Sequence, residues 1–530
     1  MSTIVTSGPQ HQTIARPAGV KRALLTSCVM CAAILQTLDS TIANVALPYM
    51  QGSLSASLDQ VNWVLTSYIV AAAIMTAPVG WLAQRFGRKR LLVLCTSCFT
   101  LASLLCATSQ DIEQMVVARL LQGVFGAALM PLAQSMMIDL FAGYELPKAQ
   151  TIFGMGVMVG PIMGPTLGAW LTDTYSWHWV FLINLPFGLF ATLGILFLMD
   201  ETPANPSLKF DWFGFFALAA GIGALQLALD RGEQVGWYES NEIIVETIIA
   251  VVGIYYFLAH SFTTANPLIR FELFKDRNFA SAAIFMVVMS TVMMSTMALV
   301  SPFLQQVSGY PVLSAGLVLA SRGCGTFVAM MTVRLAMRYF EARTVLMTGL
   351  AMSASTFWFM SGFTNDTSSF EIFFNGVYQG FSFGMVFVSI NTVAFLTLPN
   401  HLRTYGSSFQ TLVRNISASF GISIVISQLT ENAARNHAEL INHINPFNDA
   451  LKMPDVARLM DLTTDAGRML TDQVVSLQSL IMSYSHDFTL VMFFTLLSLP
   501  VAFVIGPTKA TFRLKTARPP DEDEIEMASE

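Results

Sequence analysis

Four ionisable residues, Asp39, Arg119, Arg322 and Arg414, stand inside long apolar stretches of this chain. A carboxylate or guanidinium at the centre of a bilayer costs about 2.5–3.5 kcal/mol on insertion scales, so each is a candidate for work that repays its presence. Asp39 lies in Leu38-Asp39-Ser40-Thr41-Ile42-Ala43-Asn44-Val45-Ala46-Leu47-Pro48, with Gln36 one turn away. A carboxyl in such a place can be neutral or charged according to its neighbours, which is what carrying a proton requires. Arg119 opens a series, Gln122, Gly126, Met130 and Gln134, at three- and four-residue steps. Its permanent charge can decide the protonation of a nearby carboxyl. Plainer readings stand beside these: a cap or salt bridge for Asp39, and a clamp on backbone carbonyls for Arg119.

Other polar stripes follow helical spacing. Gln410, Arg414, Ser417 and Gly421 form one, and Asn375, Gln379 and Ser382 another; such stripes line a cavity or glue helices together. Gln36, Gln122, Gln134, Gln379 and Arg414 are the candidate cavity residues. Asn44, turned away from Asp39, is expected to pack or hydrogen-bond against a neighbouring helix. Gly156, Gly160, Gly164 and Gly168 recur at every fourth position with Pro161 and Pro165 among them. That pattern gives one smooth face for a close neighbour and a bend, not a ligand site. The six cysteines all lie in apolar runs without a partnering His cluster, so they read as small buried hydrophobes and not as metal ligands.

The elements that must position these residues are transmembrane helices. With 54% hydrophobic and 12% charged residues over 530 positions, the chain cannot be an ordinary soluble protein. Fourteen runs are long enough to span: 23–47, 61–83, 91–109, 114–137, 149–171, 178–199, 211–229, 241–260, 279–305, 312–333, 343–363, 371–398, 405–430 and 487–507. Lysine and arginine concentrate in alternate loops, among them Arg85, Arg88, Lys89, Arg90, Lys148, Arg270 and Arg403, which places both termini on the cytoplasmic side. The expected organisation is a cytoplasmic segment 1–22, a six-helix bundle 23–199, two additional spans within 200–278, a second six-helix bundle 279–507, and an acidic tail 508–530. The second bundle is interrupted by a long outside loop 431–486, expected to hold amphipathic helices or to be a plain connector. The two bundles echo each other: Gln122-Gly123 and Gln379-Gly380 lie 257 positions apart, as in a duplicated transporter. The net charge of −6 gives no case for a nucleic-acid partner, and no phosphate-binding P-loop is present.

Taken together, these segments resemble the major facilitator superfamily, and within it the fourteen-helix drug:proton antiporters. The segment from Leu38 to Pro48 is similar to their first-helix signature, and Arg119-x-x-Gln122-Gly123 to their fourth-helix proton-coupling motif. Gly160-Pro161-x-x-Gly164-Pro165-x-x-Gly168 resembles their fifth-helix antiporter motif, and Trp177-x-Trp179-x-Phe181-x-Ile183-Asn184-x-Pro186 the segment opening the sixth. Leu229-Asp230-Arg231-Gly232 and Asn445-Pro446-Phe447-Asn448 are similar to the EmrB-type branch found in Gram-negative bacteria.

The resemblance implies an all-α membrane protein with the major facilitator fold and fourteen transmembrane helices, arranged 6 + 2 + 6. It implies a proton-coupled exporter of hydrophobic or amphipathic small molecules in the bacterial inner membrane. The exporter needs no cofactor beyond the proton gradient, and its partners are a periplasmic membrane-fusion adaptor and an outer-membrane channel. Asp39 and Arg119 are then the proton-coupling pair. Gly80, Arg85, Gly87 and Arg88 form the gating loop, although Gln84 stands where an acidic residue is usual. A dedicated exporter of one metabolite, fatty acid or siderophore is the same-fold alternative. A membrane-embedded enzyme is less favoured, because the histidines are scattered over loops and helix ends.

Overall fold

The computed structural model describes residues 19–141, 145–201, 204–264, 267–444 and 461–505. Over these residues the chain is helical, with no strand among them. Backbone amides in hydrocarbon have no water to bond, so helices are the economical answer for so apolar a chain.

The first part comprises α1 (Gly19–Ser53), α2 (Leu58–Thr76), α3 (Val79–Phe86), α4 (Arg88–Ala107), α5 (Ile112–Gly126), α6 (Leu129–Leu140), α7 (Leu146–Thr174), α8 (Trp179–Leu182) and α9 (Asn184–Leu198). Two helices follow, α10 (Trp212–Arg231) and α11 (Asn241–Thr263). The remainder is α12 (Arg277–Pro302), α13 (Val312–Tyr339), α14 (Ala342–Met360), α15 (Ser369–Leu396), α16 (Arg403–Asn442) and α17 (Asp465–Leu497).

Local chemistry sets the boundaries. Ser57 and Gln60 form a reciprocal capping box at the start of α2, and the Asp111 carboxylate accepts from the Gln114 amide at the start of α5. Between α2 and α3 stands Pro78, which lacks an amide, and the axis bends there by 58°. Gly87, at φ 88°, turns the chain from α3 into α4, a conformation that a side chain would resist.

Every run expected to span carries helix. Among the described residues twelve helices are long and apolar enough to cross a membrane, and thirteen if the bent α2–α3 pair is one span. The helix at the remaining position, α14, has 19 residues and is diluted by Thr344, Thr348, Ser353, Ser355 and Thr356. It nevertheless packs against α15 and α17.

Helices α1 to α9 pack chiefly on one another, as do α12 to α17, while α10 and α11 pair and α10 leans on α2 and α16. The two sets meet where α7 lies against α13 and α15, and where α6 and α3 lie against α16. Along α6 and the second half of α15 nearly every residue is buried, so the core is densest on the side bearing Arg88, Lys148 and Arg403, here called the basic face.

Three expectations are corrected. The outside loop was to begin at residue 431, yet α16 runs on unbroken to Asn442 and α17 begins at Asp465. The two helices therefore continue beyond the expected span ends as an antiparallel pair, held by the Asn436 amide donating to Ser483 Oγ at 3.0 Å and by His437 beside Asp472. The Asn445-Pro446-Phe447-Asn448 segment lies outside the described residues. Asn44 is exposed and makes no hydrogen bond among the described residues. Of the cysteines, Cys324 is exposed and Cys98 half-buried, because each lies on an outward face of its helix.

Candidate transport site: a buried ion pair and a closed basic face

Asp39 on α1 and Arg119 on α5 meet inside the first half, both without accessible surface. Arg119 Nη1 donates to Asp39 Oδ2 at 2.6 Å and to Gln122 Oε1 at 2.6 Å, and its Nε donates to the Val64 carbonyl at 3.0 Å. The other carboxylate oxygen, Asp39 Oδ1, accepts from Gln122 Nε2 at 2.8 Å and from Asn184 Nδ2 at 2.9 Å. Ser103 on α4 accepts from both of those amides. The guanidinium also lies 4.2 Å from the centre of the Tyr68 ring, a cation–π contact on its remaining side. Five helices thus converge on one carboxylate and one guanidinium.

Removing one partner of such a buried pair leaves an uncompensated charge, which costs about 3–5 kcal/mol. Cycling the pair costs less only if a proton neutralises the carboxylate as the guanidinium leaves it.

Glycines bring α1 to its place. A Cβ at Gly160 would fall 2.4 Å from the Thr37 carbonyl carbon, one at Gly164 would fall 2.2 Å from Thr41 Oγ1, and one at Gly168 would fall 2.9 Å from the Ile42 carbonyl oxygen. The smooth face expected of this helix is therefore laid directly on the turn of α1 that carries Asp39, and Thr41 Oγ1 donates to the Gly160 carbonyl at 3.0 Å. Pro161 and Pro165 lie within the same helix.

The polar series begun by Arg119 does not form one face. Ala127 and Ala128 separate α5 from α6, so Arg119 and Gln122 turn into the first half, whereas Gln134 turns to the second. There its Nε2 donates to Asn391 Oδ1 on α15 at 2.7 Å. Gln36 Oε1 accepts from the Met130 amide at 3.1 Å, and Gln379 Nε2 donates to Thr356 Oγ1 at 3.4 Å. Four of the five candidate cavity residues are therefore buried against protein partners, while Arg414 keeps accessible surface.

On the basic face the halves are closed together. Asp139 of α6 pairs with Arg88 within its own half and with Arg403 across the interface, the latter at 2.6 Å. Gly80 leaves room for the Tyr405 ring, which a Cβ would approach to 2.4 Å. Gln84 Nε2 donates to the His401 carbonyl at 3.2 Å and its Oε1 accepts from Tyr405 Oη at 3.3 Å, so the amide bonds across the interface where an acid is usual. Arg85 donates to the Leu208 carbonyl at 3.2 Å, tying the loop to the segment before α10. Ser407 Oγ completes the closure by donating to the Pro131 carbonyl at 2.9 Å.

Asp139, Asn391 and Ser103 are members that sequence reasoning missed. Asn391 carried a signal, since it follows Gln134 by the same 257 positions that separate Gln122 from Gln379. Asp139 sits at the end of an apolar run, where an acid reads as ordinary.

Two helical sets, α1 to α9 and α12 to α17, joined by a helix pair, with a buried acid–base pair and a polar closure on one face, define a many-spanning membrane transporter. The sequence profile of the Major Facilitator Superfamily matches residues 29–422. The chain is 32% identical to the multidrug export protein EmrB of Escherichia coli K12 over 477 residues, covering 89% of this chain and 92% of that one. It is 31% identical to the fatty acid resistance protein FarB of Neisseria gonorrhoeae, covering 82% of this chain and 86% of that one. Among solved structures, the human organic anion transporter MFSD10 superposes with a TM-score of 0.57 at 13% identity, covering 90% of this chain and 100% of that one. A bacterial homologue of the lysosomal transporter Spinster, in an inward-facing conformation, gives 0.51 at 17% identity, covering 95% and 100% respectively. The chain belongs to the Major Facilitator Superfamily, and within it to the EmrB-type multidrug efflux transporters.

Proposed function

We propose that this transporter exports hydrophobic or amphipathic small molecules in exchange for protons, by alternating access between its two halves. The observation that carries the reading is the buried Asp39–Arg119 pair, closed by Gln122 and Asn184 and exposed to no solvent. Protonation of Asp39 would cancel the charge that holds Arg119. The guanidinium would then be free to take other partners, and α1 would be free to shift against the glycine face of α7. Since α7 packs across the interface on α13 and α15, that shift would reach the second half. A proton crossing a 100 mV potential yields about 2.3 kcal/mol, enough to bias a conformational equilibrium by well over tenfold.

The basic loops support a cytoplasmic placement of the basic face in a bacterial inner membrane. In that placement the described conformation is closed to the cytoplasm. The EmrB-type kinship supports a periplasmic adaptor and an outer-membrane channel as partners, and the α16–α17 pair projecting from the opposite face is the surface offered to them.

The test is substrate efflux from proteoliposomes under an imposed pH gradient, comparing the parent with Asp39→Asn. Gradient-driven efflux should vanish in the variant while substrate binding persists. Undiminished gradient-driven efflux would remove Asp39 from the coupling role.

A further inference from the structure

Asp230 stands in the Leu229-Asp230-Arg231-Gly232 segment at the end of α10, the first of the two helices between the halves. Its carboxylate accepts from Thr66 Oγ1 of α2, a side chain that is 4% exposed. One turn earlier on α10, the buried Gln226 donates from Nε2 to Ser419 Oγ of α16 at 2.6 Å, while Ser419 Oγ itself donates to the Asn415 carbonyl. Adjacent turns of α10 therefore hold one helix of each half.

That double grip follows from where α10 lies. It begins at the basic face, just after the Leu208 carbonyl that Arg85 holds, and it packs against both α2 and α16, which also touch each other. Leu218 and Ile222 of α10 are buried with Ala73 and Ala77 of the first half and Leu412 of the second. Gln226 lies about 20 Å along the helix from its start, so the two polar contacts stand toward the opposite face. A Cβ at Gly253 of α11 would fall 2.7 Å from the Gly221 amide nitrogen of α10. The two helices touch backbone to backbone and form one stiff unit.

The same turns of α2 carry Arg119. Its Nε donates to the Val64 carbonyl and its guanidinium lies over the Tyr68 ring. Thr66 shares the other side of α2 with Trp63, on whose ring the Arg231 guanidinium lies at 5.5 Å, and Arg231 is itself paired with Glu242 of α11. At 100° per residue the Val64–Tyr68 and Trp63–Thr66 directions are about 150° apart. A Cβ at Gly123 would fall 2.4 Å from the Tyr68 carbonyl oxygen, so α5, which bears Arg119, is also in backbone contact with α2. This stretch of α2 is thus gripped by the ion-pair helix on one side and by α10 on the other.

We infer that Thr66, Asp230 and Gln226 are positioning residues of the transport cycle, which carry the state of the Asp39–Arg119 pair through α2 and α10 to α16 of the second half. The inference rests on the export reading above and gives it a second route across the interface, separate from the α7 contacts. Arg119 cannot change partners without altering its hold on Val64 and Tyr68. A shift of α2 in turn either pulls Thr66 off the Asp230 carboxylate or drags α10 with it, and α10 is bonded to α16. Breaking either contact strands a buried polar group, so the linkage has discrete made and broken states and does not stretch continuously. Asp230 acts here as a hydrogen-bond acceptor, a role that an amide oxygen can imitate.

The experiment uses the full-length protein in proteoliposomes with radiolabelled ethidium as the probe, measured in two ways: transport driven by an imposed pH gradient, and exchange of labelled for unlabelled ethidium without a gradient. Thr66→Val, Asp230→Leu and Gln226→Leu should each lower the kcat of gradient-driven transport tenfold or more, with KM and gradient-free exchange changed less than twofold. Thr66→Ser, which keeps the hydroxyl, and Asp230→Asn, which keeps an acceptor, should recover most of the driven rate. Equal loss of driven transport and exchange would reduce these contacts to a structural brace and overturn the inference. Asp230→Asn as impaired as Asp230→Leu would overturn it too, by showing that the residue acts through its charge. A parent whose driven transport depends on Asp39 but not on these three residues overturns this inference alone; a parent that shows no driven transport overturns the export reading with it.

Discussion

Gln134 and Asn391 hold the two halves together through one amide–amide hydrogen bond of 2.7 Å, and they occupy equivalent positions 257 residues apart in the duplicated halves. Residues equivalent under an approximate two-fold can meet each other only near its axis. The contact therefore marks the centre of the interface, one step in from the closed basic face formed by Asp139, Arg88 and Arg403.

Asn391→Leu should weaken this closure. Leaving the buried Gln134 amide unsatisfied costs about 1–3 kcal/mol, which shifts the open-to-closed ratio by roughly five- to 150-fold. Spin labels on α3 and α16 at the basic face should report a longer distance distribution by pulsed electron resonance, and an unchanged distribution would show that the contact holds nothing.

Asp139 serves two arginines at once, Arg88 and Arg403. Asp139→Asn should raise the rate at which a cysteine placed near Tyr405 reacts with a water-soluble maleimide added from the basic side. Arg88→Gln alone should do so less, because Arg403 still crosses the interface.

The glycine face makes a graded prediction. Gly160→Ala presses its Cβ against the Thr37 backbone, which cannot rotate away, and transport should fall at least tenfold. Gly156→Ala meets only the flexible end of Met30, at 2.1 Å, and should retain most activity. Gly164→Ala collides first with Thr41 Oγ1, so adding Thr41→Ala should restore part of what it loses. Equal effects at Gly156 and Gly160 would disprove the account.

The ion pair separates stability from coupling. Arg119→Gln should lower the unfolding temperature in detergent, consistent with about 3–5 kcal/mol for stranding a buried carboxylate. Asp39→Asn combined with Arg119→Gln should recover much of that stability, since no charge remains unpaired, yet it should not recover gradient-driven transport.

Much of this is legible in the sequence. Insertion cost singled out Asp39, Arg119, Arg322 and Arg414, but not that the one acid among them would pair with Arg119 and not with the other two. Four-residue glycine spacing announced the α1–α7 approach, although not that Thr37 and Thr41 are what it accommodates. The amides were harder. Gln36, Gln122, Gln134 and Gln379 read as cavity groups, but a buried amide is satisfied as readily by a neighbouring backbone or side chain as by a ligand, and helical spacing cannot tell these apart. The break at Ala127–Ala128, which splits the Arg119 series between two directions, leaves no mark in the apolar pattern. Helix continuation past Thr430 was hidden for the same reason, since leaving the membrane changes which residues are favoured without ending the helix.

The unbroken length of α16 has a mechanical sequel. Its 40 residues make a rod of about 60 Å, roughly twice the hydrocarbon thickness, anchored near its start where Ser407 bonds Pro131. A tilt of ten degrees about that contact would swing the far tip by about 10 Å, and α17 is bonded to it there through Asn436 and Ser483. Motions too small to notice at the sealed end thus become broad strokes in the compartment beyond, and anything gripping the tip would be moved by, and could in turn push back on, the protein's working cycle.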